Sequence, residues 1–548
     1  MKKIDFPVGI SDFSKIRENE YYYIDKTGLI CEVLKNPGTE VTLITRPRRF
    51  GKTLGMSMLA EFFDIEKDSR KIFQGLEISN HEKLCHAWQN QRPTVFLTFK
   101  NVDGLSFDSA YGQLKYEIGR LYEEYAYLLD GEHISDNERQ IYERIRKQAA
   151  GEVEVTRSLQ LLLQLMNKYY GKQAILLLDE YDVPLAKASS HGYYEQMLEV
   201  IKAMMTTALK DNAALCFSIV TGCLRISKES IFTGTNNFVS DTITDSRLNE
   251  YFGFVQSEID QMLKDADAME YALNIKKWYD GYHFGENETI YSPKSVVEAV
   301  TSGICDTYWN QTETFEALKM YIELNIDGLK DAVISMMSGE KIPVNTATFA
   351  NDMTTFCTKD DVLTLLIHLG YLGYDFQAKC VYIPNREVMT EYVNAISLSQ
   401  WGGISVALKN SNEILEAIWQ NKPEKVASGI EQAHFETSHI QYNDENALSY
   451  TISLALYTAR NYYTVIREMP TGKGFADMVY IPKKRFADKP AIVMELKWNK
   501  KAEGAIKQIK EKHYSEQIKA FSGKILLVGI NYDKKTKKHK CIIEKYQK

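Results

Sequence analysis

Cysteine is scarce and badly placed for chemistry. Eight occur in 548 residues, from Cys31 to Cys541, with no Cys-x-x-Cys pair and no cysteine–histidine cluster at zinc spacing. That argues against a structural metal site and against a disulfide framework, and the thiols read as reduced and mostly buried. Long apolar runs are missing too. No stretch approaches the ~18 uninterrupted apolar residues of a membrane span, and the opening Met-Lys-Lys-Ile-Asp-Phe-Pro lacks the apolar centre of a secretory leader. The expectation is a cytoplasmic protein that does not engage a membrane. A global excess of positive charge is also absent, the formal net charge being -7. The imbalance is local: from Lys497 onward 15 lysines stand against 5 acidic residues, a basic stretch suited to a solvated surface or to nucleic-acid contact.

What is present fits a large globular chain. Its 44% hydrophobic and 25% charged residues are those of ordinary folded proteins, and the length suggests about three to four domains.

Glu40-Val-Thr-Leu-Ile-Thr45 is an apolar, β-branched run of strand length. It is followed by Arg46-Pro-Arg-Arg-Phe-Gly-Lys-Thr53 and an amphipathic stretch from Leu54 to Phe63. Strand, loop and helix in that order are the setting of a phosphate-binding loop. Gly51 would let the backbone approach a phosphate, Lys52 would reach the β- and γ-phosphates, and Thr53 would place a hydroxyl on Mg²⁺ at the helix N-terminus. The general motif begins with glycine, and here Arg46 holds that position.

Ala174-Ile-Leu-Leu-Leu-Asp-Glu-Tyr-Asp182 is a continuous apolar run ending in acids, as a central parallel strand buried on both faces requires. Asp179 would hold the metal and Glu180 would polarise the attacking water. Thr94–Phe99 and Leu215–Val220 supply two more strands, and the βα alternation points to a doubly wound parallel sheet with its ligand at the carboxyl ends of the strands. Thr221 ends the last strand where a polar sensor of the γ-phosphate would sit. Arg225 suits an arginine finger, a sensor or a structural ion pair. Arg48 and Arg49 are open between phosphate, a neighbouring subunit and neither. The nucleotide-binding candidates are therefore Arg46, Arg49, Gly51, Lys52, Thr53, Asp179, Thr221 and Arg225.

Asp5-Phe-Pro-Val-Gly-Ile-Ser-Asp-Phe13, Tyr23-Ile-Asp-Lys-Thr27, the Arg46–Thr53 loop, Leu178–Asp182, Thr221–Lys228, Ile231–Gly234 and Trp278-Tyr-Asp-Gly-Tyr282 together resemble the bacterial AAA-ATPase-like family whose members carry a C-terminal PD-(D/E)XK nuclease domain. The resemblance covers nearly the whole chain. It implies that an arginine at the first position of the phosphate loop is usual, and that ATP and Mg²⁺ are the cofactors.

From about residue 301 to 433 the chain reads as a mainly helical connector. Apolar residues recur at three- and four-residue steps in Val362–Leu369 and Ile414–Trp419. Gly373–Pro384 reads as a β-hairpin, which with the helices suggests a winged-helix-like module. His368 reads as a core histidine and Asn421–Lys425 as a linker.

Ala476–Ile481 and Ala491–Lys497 read as two strands of a hairpin. Glu495 and Lys497, two apart, project from one face, and Asp477 on the neighbouring strand can join them. Two hard carboxylates and an amine are what phosphodiester cleavage with Mg²⁺ or Mn²⁺ requires. Asp477 followed eighteen residues later by Glu495-x-Lys497 is the PD-(D/E)XK signature. The resemblance adds Glu445, at the start of a helix, to the metal ligands Asp477 and Glu495, and places Gln508 and Lys512 toward the site. Phe475 stands where many relatives have arginine.

The sequence thus divides as an ATPase at 1–300 with a P-loop sheet of the ASCE or AAA-like kind and a lid, a connector at 301–433, and a restriction-endonuclease-like α/β domain at 434–548. It reads as an ATPase, with Lys52 and Glu180 catalytic, joined to a Mg²⁺-dependent nuclease acting on DNA through Asp477, Glu495 and Lys497. Homo-oligomerisation is open. The rival reading is a nucleotide-dependent switch or scaffold whose nuclease fold has lost catalysis.

Overall fold

The computed structural model describes residues 4–35, 38–131, 134–224, 238–243, 245, 247–284, 289–309, 316–324, 326, 328–349, 356–397, 402–436, 445–471, 474–483, 486–511 and 524–546. The chain packs into two compact units, 1–312 with 343–388 and 313–342 with 389–548.

The first unit is built on a five-stranded parallel sheet: β1 (Val41–Thr45), β2 (Thr94–Thr98), β3 (Ala174–Asp179), β4 (Leu215–Gly222) and β5 (Phe238–Asp241), in the order β2-β3-β4-β1-β5. Every residue of β1 and β3 is buried, which is why both read as unbroken apolar runs rather than alternating ones. Because β4 lies between β1 and β3 with all strands parallel, the loop after β1, the acids after β3 and the threonine ending β4 meet at one edge. The fifth strand has no comparable signal in sequence, being four residues long and only half-buried along most of its length.

β5 accounts for Arg46. The guanidinium is wholly buried; it pairs with the carboxylate of Asp241, donates to the carbonyls of Thr45 (2.9 Å) and Asp241 (3.0 Å), and lies over the rings of Phe252 and Phe284. Arg46 therefore anchors the loop to the sheet edge. Removing one member of a buried pair strands the other charge, which costs about 3–5 kcal/mol. Arg46→Met should lower the thermal unfolding temperature sharply, and Arg46→Met with Asp241→Leu should recover part of the loss by calorimetry.

Part of the expected connector belongs to this first unit. The helix Lys359–Leu369 is capped by Thr358 and Asp361 at its start and ended by Gly370 in the left-handed region, and the strands Gly373–Asp375 and Cys380–Tyr382 pair as a hairpin. The Tyr282 hydroxyl donates to the Gly370 carbonyl (2.9 Å), and Gly370 sits so close to Pro47 that a β-carbon there would lie 2.7 Å from it. The hairpin side meets the Trp278–Tyr282 turn. Gly281 has φ +102°, and a β-carbon would come within 2.1 Å of the Pro384 carbonyl oxygen, so only glycine fits. His368 is a buried core histidine, its ring stacked on Phe349 and its pKa pushed down to about 4 by burial.

The second unit carries a mixed sheet: β6 (Tyr463–Thr471), β7 (Gly474–Pro482), β8 (Ala491–Trp498), β9 (Ile525–Asp533) and β10 (Lys538–Lys545), in that order, antiparallel except for the parallel β8–β9 pair. Helix Glu445–Ala455 packs Leu448 and Ile452 on the face of Met478, Met494 and Leu496. Helix Ala502–Glu511 packs Ile506 and Ile509 on the other face, against Val479, Val493 and Leu527. Asn421–Lys425 is no linker: Asn421 turns the chain at φ +55° and a helix begins at Pro423, packing back on helix Gly402–Trp419. The expected boundaries near 300 and 433 thus differ from the division by packing, which follows long-range contacts.

Two buried histidines in this unit, His434 and His539, share a hydrogen bond (Nδ1 to Nε2, 3.2 Å) beside the Tyr532 ring. Burial pushes their pKa values down from 6.5 to about 4 and about 3. Both are neutral in the fold, so the unfolded chain binds more protons. Their contribution is complete above pH 6.5 and is lost as the pH falls toward 4. The melting temperature should drop between pH 6.5 and 4.5, and His434→Phe with His539→Phe should flatten that drop; an unchanged profile would refute this.

Candidate functional sites

At the carboxyl edge of the parallel sheet, Gly51 adopts φ +86° and opens the helix Lys52–Phe63. Lys52 is buried, and its ammonium donates to the carbonyls of Arg46 (2.9 Å) and Pro47 (3.0 Å), bridging its own loop. The wholly buried carboxylate of Asp179 accepts from the hydroxyls of Thr53 (2.9 Å) and Thr221 (2.6 Å), tying together the ends of β1, β3 and β4. Glu180 follows at φ +54°, a conformation that costs a non-glycine residue of order 1 kcal/mol and concentrates at functional sites. Burial raises its carboxyl pKa, and the Lys52 charge opposes that rise.

A cleft of about 340 Å³ opens on this edge, lined by Lys52, Thr53, Glu180, Arg49, Lys100 and Lys294 among others. Its size falls in the range of small-molecule sites. Arg49 lines the cleft while donating to the Tyr308 carbonyl (2.7 Å). Arg46 does not line it, its guanidinium being committed to Asp241. Arg225 lies outside the described residues. The donor set suits Mg²⁺: a hydroxyl beside a buried carboxylate offers hard oxygens.

Sequence reasoning missed three features here. Asp182 is buried and accepts from the backbone N–H groups of Cys223 (2.9 Å) and Leu224 (3.0 Å), fixing the turn after Thr221. Its signal was its place in the Leu178–Asp182 run. Lys294, at the start of helix Pro293–Ser302, has no local signal, because only tertiary packing carries it more than two hundred residues to the cleft. Pro7–Ser11, quoted above only as part of a motif, forms a wall of the cleft.

In the second unit the β7–β8 register pairs Met478 with Met494, and one step on sets Asp477 opposite Glu495. There the ladder opens. The Leu496 N–H donates to the Asp477 carboxylate (2.6 Å) instead of to the backbone of β7. Glu495 is buried; Lys497 donates to its Oε1 (3.1 Å), and so does the amide of Gln508 from helix Ala502–Glu511. Two carboxylates, an ammonium and an amide thus converge on one face. Glu445 opens its helix as expected, but its side chain, like that of Phe475, lies outside the described residues, as does Lys512. Among the described residues no group of three or more His, Cys, Asp or Glu is poised to hold a metal. The donor chemistry still fits a divalent ion, the two carboxylates being hard ligands with an ammonium beside them.

Residues 7–232 match the family model described as Predicted AAA-ATPase, and residues 445–541 that of the PD-(D/E)XK nuclease superfamily. The chain therefore carries an AAA-ATPase-like domain and a C-terminal PD-(D/E)XK nuclease domain. Domains of these kinds ordinarily use a nucleotide, and a divalent metal with a nucleic acid, respectively. A protein of Azotobacter chroococcum mcd 1 described as "Uncharacterized protein in vnfD 5'region" is 28% identical over 324 residues, covering 57% of this chain and 55% of that protein. The chain thus spans about half the length of the curated relative it matches. Among the described residues no helix is long and apolar enough to cross a membrane.

Proposed function

We propose that the chain binds and hydrolyses ATP in its first unit and cuts DNA in its second with Mg²⁺ or Mn²⁺. The observation that carries the nuclease reading is the convergence of Asp477, Glu495, Lys497 and Gln508 where the β7–β8 ladder opens. A bound divalent ion would supply Lewis acidity and charge neutralisation at the scissile phosphate. Asp477 and Glu495 would hold it. Lys497 orients the attacking water and offsets charge on the transition state, while Gln508 fixes the Glu495 carboxylate.

In the first unit Lys52 would turn from the loop carbonyls to the phosphates, Thr53 and Asp179 would hold Mg²⁺, and Glu180 would take up the proton of the attacking water. Burial raises the pKa of Glu180, which makes it a stronger proton acceptor than an exposed carboxylate. Lys294 and Arg49 add positive charge to the lining of the cleft.

The test is incubation of the full chain with plasmid and single-stranded DNA in Mg²⁺, Mn²⁺ or EDTA. Nicking or linearisation in either ion and none in EDTA is expected. Absence of cutting in both ions, with ATP hydrolysis intact, would replace this reading with the switch or scaffold.

A further inference from the structure

Strands β8 and β9 are parallel and end at one edge of the sheet, β8 at Trp498, one residue beyond Lys497, and β9 at Asp533, two beyond Asn531, the register partner of Lys497. At about 3.3 Å per residue both loops begin within roughly 7 Å of the level of Lys497. Two loops leave there. Asn499–Lys501 leads from β8 into helix Ala502–Glu511, and the Asp533–Lys538 turn joins β9 to β10. The loops are fastened to each other: the Lys534 N–H donates to the Asn499 side chain (2.7 Å), and the Lys500 N–H to the buried Asn531 side chain (2.9 Å).

Between them the loops carry Lys500, Lys501, Lys534, Lys535, Lys537 and Lys538, all exposed. The acid in these loops, Asp533, is engaged by the loop itself, accepting from the N–H groups of Lys535 (2.8 Å) and Thr536 (3.0 Å). Three lysines elsewhere in the domain, Lys507, Lys510 and Lys540, pair with Glu511, Glu544 and Glu503. None of the six loop lysines forms an ion pair with a described residue. Six exposed lysines thus stand at the site's end of the sheet, on loops held in fixed relation.

We propose that these two loops are the surface that holds a nucleic-acid phosphate backbone against the Asp477–Glu495–Lys497 site. The inference rests on the nuclease reading for its purpose, but its chemistry is independent of cutting. Fixed, exposed ammonium groups bind phosphates in any sequence and orient the strand, leaving base identity unread.

Each lysine that neutralises a duplex phosphate steepens the dependence of log K on log salt by about 0.9. The test measures binding of the full chain, in EDTA so that nothing is cut, to duplex DNA, single-stranded DNA and duplex RNA of one length, from 50 to 200 mM salt. Lys534, Lys535, Lys537 and Lys538 are replaced together by glutamine. As a control Lys524 and Lys545, at the opposite edge of the sheet, are replaced in the same way.

The hairpin variant should lose about three to four units of slope, so that the wild type's advantage at 50 mM shrinks roughly 100-fold by 200 mM. The control should keep the wild-type slope, and the polymer bound most tightly identifies the substrate backbone. Unchanged slope in the hairpin variant, or an equal loss per lysine in the control, overturns the proposal. Failure of the nuclease reading shows elsewhere, as wild-type chain that binds in EDTA yet cuts nothing in Mg²⁺ or Mn²⁺.

Discussion

Glu495→Gln should leave the chain folded and stop the proposed phosphodiester cleavage. The substitution keeps the shape of a buried side chain and its capacity to meet Lys497 and Gln508, but removes the negative charge that would hold the ion. Loss of a residue that merely supports a metal ligand typically costs 10- to 100-fold, so loss of a ligand itself should cost at least about 100-fold. Gln508→Ala should sit below that, near the 10-fold end, because the amide positions the carboxylate without holding the ion. Circular dichroism and a thermal melt check the fold, and a plasmid-nicking time course in Mg²⁺ reads the activity. Equal cleavage by wild type and Glu495→Gln would remove this residue from the site.

Lys52→Met and Glu180→Gln should separate binding from hydrolysis. The Lys52 ammonium is a buried cation of the phosphate loop, and its removal would take away the charge proposed to stabilise the transferring phosphoryl group. ATP hydrolysis should fall on the order of 10³-fold, with weakened ATP binding by calorimetry, since removing one preorganised electrostatic partner costs about 10²–10³. Glu180→Gln keeps every cation of the cleft and should bind ATP as tightly as wild type or tighter, while losing turnover. Turnover surviving in Glu180→Gln would move the base elsewhere. Turnover surviving in Lys52→Met would dissolve the nucleotide site.

Much of this was legible because the informative signals are local. β1, β3 and β4 announce themselves as apolar runs, and Lys52, Thr53 and Asp179 follow from their positions at the strand ends. The period of two along β8 put Glu495 and Lys497 on one face. What was not legible depends on partners far away in sequence. Arg46 looked like a nucleotide ligand because it sits in the phosphate loop, yet its partner Asp241 lies 195 residues on, in a strand too short to read. Lys294 reaches the cleft only through packing of its helix. Asn421–Lys425 looked like a linker because proline and polar residues mark both loops and helix starts, and here Pro423 starts a helix. Gly370 against Pro47 shows what a division by composition does not carry: contacts join the segment 343–388 to the phosphate loop.

Two working sites on one chain, one for ATP and one for DNA, are tested most directly by cleavage of plasmid DNA in Mg²⁺ with and without ATP, comparing wild type with Lys52→Met and Glu495→Gln. Wild type should cut and respond to ATP, Lys52→Met should lose the ATP response, and Glu495→Gln should lose cutting but not ATP hydrolysis. Wild-type chain that hydrolyses ATP but leaves the plasmid intact under every condition would contradict the two-site reading.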